Sequence, residues 1–231
     1  MSRTQLMETA DAAVAGIEDG STVLVGGFGL AGMPFDLIDA LIRQGAKDLT
    51  VVANNAGNGE VGLAALLKAG RVRKVICSFP RQVDSYVFDE LYLAGKLELE
   101  VVPQGNLAER MRAAGAGIGA FYCPTAVGTP LAEGKEVREI DGRTYLLEYP
   151  IKGDYALISA HAADGMGNLV YRKTARNFGP VMATAAATTI AQVSQIVPTG
   201  SLDPEAVVTP SIYVDRVVAV EARHYTVQGA R

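Results

Sequence analysis

Histidine and cysteine are both scarce in this 231-residue chain, and each scarcity removes a class of chemistry. The two histidines, His161 and His224, stand far apart, and no Cys/His/Asp spacing suits a metal ion. Both read as structural or exposed residues. No G-x-S-x-G elbow is present, which argues against a serine hydrolase. The two cysteines form no CxxC and imply no disulfide framework, which fits a reducing compartment. Cys77, within Val75-Ile76-Cys77, reads as a buried thiol, and Cys123, before Pro124, as a loop residue. Long apolar runs are missing too: none approaches the roughly 20 residues that a bilayer span needs. Glu8 and Asp11 interrupt the N-terminus, so no secretory signal is expected there. Basic residues are not in excess, since 21 Lys+Arg face 25 Asp+Glu for a formal net charge of −4. That balance argues against nucleic acid or an anionic membrane as partner. A cytoplasmic protein is expected. No linker, internal repeat or low-complexity tract divides it, so residues 1–231 read as a single domain.

Glycine, by contrast, is plentiful, and its densest stretch organises the chain. Asp19 to Pro34 reads DGSTVLVGGFGLAGMP: a turn pair, the buried strand Val23-Leu24-Val25, then a loop of bare backbone. Gly26, Gly27, Gly29 and Gly32 let that loop bend and approach a ligand closely. Pro34 suits the first turn of a helix. Strand, bare loop and helix start together form the place where α/β proteins seat ligands.

The rest of the first half repeats this grammar. Leu6, Met7, Ala10, Val14 and Ile17 have helical spacing over residues 4–17. Phe35 to Ile42 is a helix with Asp36 in its first turn and Gly45 as its stop. Leu49–Ala53 is a strand followed by the loop Asn54-Asn55-Ala56-Gly57-Asn58-Gly59, and Leu63 to Leu67 a helix. Val72–Ser78 and Leu97–Val102 are strands around the helical run Val83–Ala94. Asn106, with Glu109 three residues on, has capping-box spacing. Alternating strands and helices of this size predict βαβ units and a mainly parallel sheet covered on both faces. In the second half, Asp141-Gly142 predicts a hairpin between Val137–Ile140 and Tyr145–Tyr149. Tyr155–Ala160 and Thr189–Val193 read as strands, Ala183–Ala187 as a short helix, and Tyr213–Tyr225 as β-prone.

Gly27, Gly29 and Gly32 spell a literal G-x-G-x-x-G. A dinucleotide site also needs an acid after the next strand, and Asn54 and Asn55 stand there instead. No Gly-Lys-Ser/Thr follows, so a nucleotide P-loop is excluded. Polar groups gather at the carboxyl ends of successive strands: the glycine loop, Asn54 and Asn55, Ser78 and Arg81, and Gln104. In a parallel sheet these share one edge, and neutral donors there can stabilise a carbonyl oxygen as it becomes negative. Any one such loop is more simply a turn; four on one edge favour a site. Glu60 is the only acid near that edge, and a helix-start carboxylate is its simpler role. The pattern looks like half of an active site.

These residues resemble the A (alpha) subunits of the 3-oxoacid coenzyme A transferase family. The resemblance lies in Asp19-Gly20, Val23–Val25, Gly26-Gly27-Phe28, Gly32 and Pro34. It continues through Asn54-Asn55-Ala56-Gly57, Pro103-Gln104-Gly105-Asn106-Leu107-Ala108-Glu109-Arg110 and Arg172-Lys173-Thr174-Ala175-Arg176-Asn177-Phe178. It implies a three-layer α/β/α fold, with the predicted hairpin as an addition, and a heteromer with a B (beta) subunit. It also implies ping-pong transfer through a glutamate of a Glu-Asn-Gly motif in that second chain. This chain has no Glu-Asn-Gly, only Asn58-Gly59-Glu60, so no nucleophile is expected here. By resemblance Gly26, Gly27, Phe28, Gly29, Leu30, Ala31 and Gly32 bind coenzyme A. Asn54, Asn55 and Gln104 would bind the reacting carboxylate or thioester, with Asn54 and Gln104 supporting catalysis. Coenzyme A is then a thioester substrate; no resident cofactor or metal is implied.

Phe79-Pro80-Arg81 stands where acetoacetate enzymes of the family look like Tyr-Val-Gly. A guanidinium there could pair with a second substrate carboxylate, or Arg81 is simply a surface residue. With overall similarity to the 3-oxoadipate branch, this makes 3-oxoadipate with succinyl-CoA the expected pair, and acetoacetate the alternative acceptor. Arg71, Arg73 and Lys74 could meet the phosphates of coenzyme A or simply solvate a strand start. A sugar-phosphate isomerase or ligand sensor on a related fold is the reading from another class.

Overall fold

The computed structural model describes residues 4–221. Its centre is a parallel sheet built from β1 (Gln5–Met7), β2 (Thr22–Val25), β3 (Leu49–Ala53), β4 (Val72–Cys77), β5 (Glu98–Val101), β9 (Gly153–Asp164), β11 (Ala186–Val197) and β12 (Arg216–Ala219). The order is β1-β12-β11-β9-β2-β3-β4-β5, and every neighbour along it is parallel. The two-residue β10 (Leu169–Val170) adds an antiparallel flap to β9. Helices α1 (Ala10–Val14), α2 (Phe35–Gln44), α3 (Leu63–Lys68) and α4 (Tyr86–Leu93) cover one face. Helices α5 (Gln104–Gly115) and α6 (Gly179–Ala185) cover the other.

Strand alternation divides the core between those layers. Val23, Val25, Val51 and Ala53 pack with Leu37, Leu41, Leu66 and Phe88. Leu24 and Val52, one residue out of phase, pack with Leu107, Met111 and Met182. All five residues of β3 are buried, as a strand covered on both faces requires. This is the covered, mainly parallel sheet that the alternation predicted and the three-layer α/β/α fold that the resemblance implied.

The sheet also has a switch point. From β2 the chain proceeds outward through β3, β4 and β5, then returns on the other side of β2 as β9 and proceeds to β11 and β12. The crevice beyond the carboxyl ends of β2 and β9 is therefore where an open α/β sheet binds ligands. The glycine loop sits at that point.

A second sheet, β6 (Phe121–Cys123), β8 (Arg143–Glu148) and β7 (Val137–Ile140), holds the predicted hairpin. Asp141 and Gly142 both take positive φ, 52° and 74°, which matches the strand twist of a two-residue turn. Buried Glu148 ties this sheet to α5: it accepts from Asn106 Nδ2 at 2.9 Å and Lys135 Nζ at 2.6 Å. Arg110 Nε adds a bond to the Tyr149 carbonyl at 2.7 Å.

Five local expectations are corrected. Residues 4–17 are not one helix: Gln5–Met7 is recruited as an edge strand by Arg216–Val218, and the helix starts after the Thr9 cap. Pairing with a neighbouring strand overrides periodicity there. Asn106 caps nothing; α5 begins at Gln104 directly after Pro103, and the Asn106 side chain is spent on Glu148 and Cys123. Cys123 itself ends a strand rather than lying in a loop, because it pairs with Leu146 of β8. Pro34 stands just before α2 rather than within its first turn. The helical run from Val83 starts only at Tyr86, because the Ser85 hydroxyl is drawn to the Gly57 carbonyl and the Gln82 amide. In the second half β9 and β11 are longer than predicted, each spanning 12 residues, and the predicted helix Ala183–Ala187 is cut short: α6 ends at Ala185, and Ala186 and Ala187 begin β11. Of the β-prone end, Arg216–Ala219 is strand, while His224 and Tyr225 lie outside the described residues.

Candidate active site

The glycine loop is shaped by four contacts. Gly26 N donates to Leu157 O of β9 at 2.9 Å, which continues the sheet one residue past β2. Phe28 and Ala31 then exchange backbone hydrogen bonds of 3.0 and 3.2 Å around the tight turn at Gly29-Leu30. Asn177 braces the whole from outside. Its Oδ1 accepts from Gly27 N at 3.1 Å and its Nδ2 donates to Ala31 O at 2.9 Å. Gly32, at φ +72°, presses against that brace so closely that a Cβ would lie 2.3 Å from Ala175 O. Phe28, at the tip, is 49% exposed.

One strand over, the amides meet. β3, β4 and β5 end together, since Ala53 pairs Cys77 and Cys77 pairs Val101. Asn54, Ser78 and Gln104 follow those ends. Gln104 Nε2 donates to Asn54 Oδ1 at 2.7 Å, and Ser78 Oγ donates to the same oxygen at 2.9 Å. Asn54 is only 2% exposed, so its carboxamide is held in one orientation. Two donors on Oδ1 polarise that amide and leave Nδ2 without a partner among the described residues. The result is a fixed N–H donor at the sheet edge beside bare backbone.

Not every predicted residue joins them. Asn55 is as buried as Asn54, but its Oδ1 accepts from Gly57 N at 2.8 Å to shape its own loop. It borders Val51, Leu63 and Val75 in the apolar interior. The structure therefore separates it from Asn54 and Gln104, because successive residues leaving a strand point to opposite faces. Arg81, in the exposed loop after β4, gives Nε to Asp89 of α4 at 2.5 Å, and the terminal nitrogens of its fork have no partner among the described residues.

Glu60 is ion-paired with Lys68 at 2.7 Å. Hydrogen bonds from Lys68 and then Tyr86 hold its carboxyl below the usual range. That is a solvated ion pair. Burial pushes the Cys77 thiol up to about 12, against a weaker pull from the Phe79 amide, so it stays protonated. His161, on β9, lines a cavity of about 260 Å³ with Gly32, Asp36 and Gln192. Arg71 donates to the Gly45 and Ile42 carbonyls, and Arg73 and Lys74 pair with Glu98 and Glu100. These cations are spent within the fold. No cluster of His, Cys, Asp and Glu among the described residues could hold a metal, and no helix there is long and apolar enough to cross a membrane.

Two contributors were not named from the residues as site members: Ser78, which orients Asn54, and Asn177, which braces the loop from 150 residues away. Ser78 is marked only as a polar strand end, and Asn177 only as part of the Arg172–Phe178 stretch that carries the resemblance.

Residues 7–220 match the family model described as Coenzyme A transferase. The chain belongs to that family. It is 70% identical over 213 residues to the A subunit of the 3-oxoadipate CoA-transferase of Pseudomonas putida, covering 92% of each chain. It is 49% identical over 207 residues to the A subunit of a succinyl-CoA:3-ketoacid coenzyme A transferase of Helicobacter pylori strain J99, covering 90% of this chain and 88% of the relative. Among solved structures, an acyl-CoA transferase apoenzyme of Escherichia coli O157:H7 superposes with a TM-score of 0.84 at 25% identity. That match spans 95% of this chain and 47% of the other, so the chain is about half the length of that protein.

Proposed function

We propose that the chain, as one domain, is the A subunit of a cytoplasmic heteromer that moves coenzyme A from succinyl-CoA to 3-oxoadipate. The observation that carries this reading is the 70% identity, over 92% of both chains, to the A subunit of a 3-oxoadipate CoA-transferase. The geometry is consistent with a binding and orienting half. Gly26 to Gly32 offers backbone to the thioester, while Asn54 and Gln104 offer amide dipoles to a carbonyl oxygen that becomes negative on attack. Donors fixed in advance cost no reorganisation as that charge develops.

The chemistry then divides between two chains. In the B subunit, one glutamate attacks the acyl-CoA carbonyl; an anhydride forms and coenzyme A leaves as thiolate. The thiolate attacks the glutamyl carbonyl, releasing the carboxylate and leaving an enzyme thioester, and the acceptor acid reverses both steps. Coenzyme A is a substrate throughout and no resident cofactor takes part. In this scheme the free nitrogens of Arg81 face the second carboxylate that distinguishes 3-oxoadipate from acetoacetate. Co-expression with a similar-sized partner containing Glu-Asn-Gly tests the reading. Co-purification and transfer from succinyl-CoA, faster to 3-oxoadipate than to acetoacetate, is the expected result. Absence of transfer to either acid would overturn it.

A further inference from the structure

The brace beside the glycine loop carries a charge cluster that the transfer step does not use. Between β10 and α6 the chain runs Arg172-Lys173-Thr174-Ala175-Arg176-Asn177, with three exposed cations in five residues. Several other cations of this acidic chain find carboxylates: Arg43 with Asp11, Arg73 with Glu98, Lys74 with Glu100, Lys135 with Glu148. Arg172, Lys173 and Arg176 have none among the described residues. Lys173 also sits at φ +52°, a left-handed conformation uncommon for a lysine. Asn177 helps impose it, donating to the Thr174 and Ala31 carbonyls at 2.9 Å each and fastening the segment to the loop.

The strained segment and the loop enclose something specific. Lys173, Thr174, Arg176 and Asn177 line an open concavity of about 700 Å³ whose remaining wall is Phe28 and Ala31. It offers an exposed aromatic face, an ammonium, a guanidinium and a hydroxyl. That combination suits a ligand with a flat base at one point and phosphates at another: the ring packs on an aromatic face and the cations take phosphate oxygens. Arg71, Arg73 and Lys74 are engaged by backbone or carboxylate oxygens, so they do not compete for that role.

We propose that this concavity holds the phosphate-bearing nucleotide end of the acyl-CoA, with Lys173 and Arg176 on its phosphates and Phe28 against its base. The inference rests on the acyl-CoA reading above and adds the subsite that anchors the part of the substrate remote from the reacting carbonyl.

The test uses the complete heteromer with Lys173→Ala/Arg176→Ala and two donors, succinyl-CoA and succinyl-pantetheine, which lacks phosphates and base. With succinyl-CoA, kcat/KM falls roughly 10- to 100-fold in the variant, the loss expected for one or two charge-assisted contacts. With succinyl-pantetheine the gap between wild type and variant closes, and kcat/KM for the acceptor acid holds. Arg176→Lys alone, which keeps the charge, restores most of the loss of Arg176→Ala. Equal losses on both donors, or no loss on succinyl-CoA, would overturn the subsite. A variant that dissociates from its partner on sedimentation would overturn it too, by making the cluster a docking patch. A wild-type heteromer inactive with every acyl-CoA would instead remove the functional reading itself.

Discussion

The two walls of the candidate site solve different problems with different parts of the chain. The glycine wall is backbone: Gly26 to Gly32 has its shape set by positive φ angles and by Asn177, 150 residues away. The amide wall is side chain: Asn54, Ser78 and Gln104 follow three adjacent strands, and the last two both donate to Asn54 Oδ1. In the proposed function the first shapes the space for the thioester and the second presents a dipole to its carbonyl. A defect in the glycine wall should therefore surface first as lost stability and shape. In the amide wall it should surface as lost rate.

The largest expected effect lies on the amide side. Gln104→Ala, whose parent side chain is exposed, lowers kcat by roughly 10²–10³ with little change in melting temperature, and Asn54→Ala lowers it comparably. Steady-state kinetics of either heteromer checks this, and wild-type turnover would break the contrast. Next comes the glycine side. Gly32→Ala combines left-handed strain with a Cβ 2.3 Å from Ala175 O, so a loss of about 2–3 kcal/mol is expected in denaturant unfolding. Gly29→Ala meets open space at φ +61° and should cost about 1 kcal/mol. Equal losses would mean that the Ala175 contact shapes nothing.

Smaller effects sharpen the comparison further. Arg81→Ala should raise KM for 3-oxoadipate about tenfold and leave KM for acetoacetate nearly unchanged, the size of one charge-assisted contact. Equal increases would assign Arg81 to the surface. Asn55→Ala should cost about 1 kcal/mol of stability through the lost Gly57 bond, with kcat within roughly twofold of wild type. A 10²-fold rate loss there would show that Asn55 belongs with Asn54 despite facing the interior.

Much of the fold was legible because its signals are local. The apolar run of β3, the glycine stop of α2 and the Asp141-Gly142 turn each announce themselves within a few residues. So does the site's address, since carboxyl ends of parallel strands share an edge once the alternation is recognised. What escaped is what depends on distant partners. Gln5–Met7 is a strand only because β12 lies beside it, and Asn106 is no cap because Glu148 claims its amide. Asn54 and Asn55 are indistinguishable in one dimension; only the register of β3 assigns one to the edge and the other to the interior. Asn177 braces the glycine loop through contacts that no spacing rule encodes.

In the proposed function this chain orients the acyl-CoA while another chain attacks it. Incubating the heteromer with succinyl-CoA, reducing with borohydride and mapping both chains by mass spectrometry tests it directly. The expected result is one reduced glutamate in the partner chain and an unmodified chain here, Glu60 included. A reduced carboxyl on Glu60, or on any acid of this chain, would contradict it.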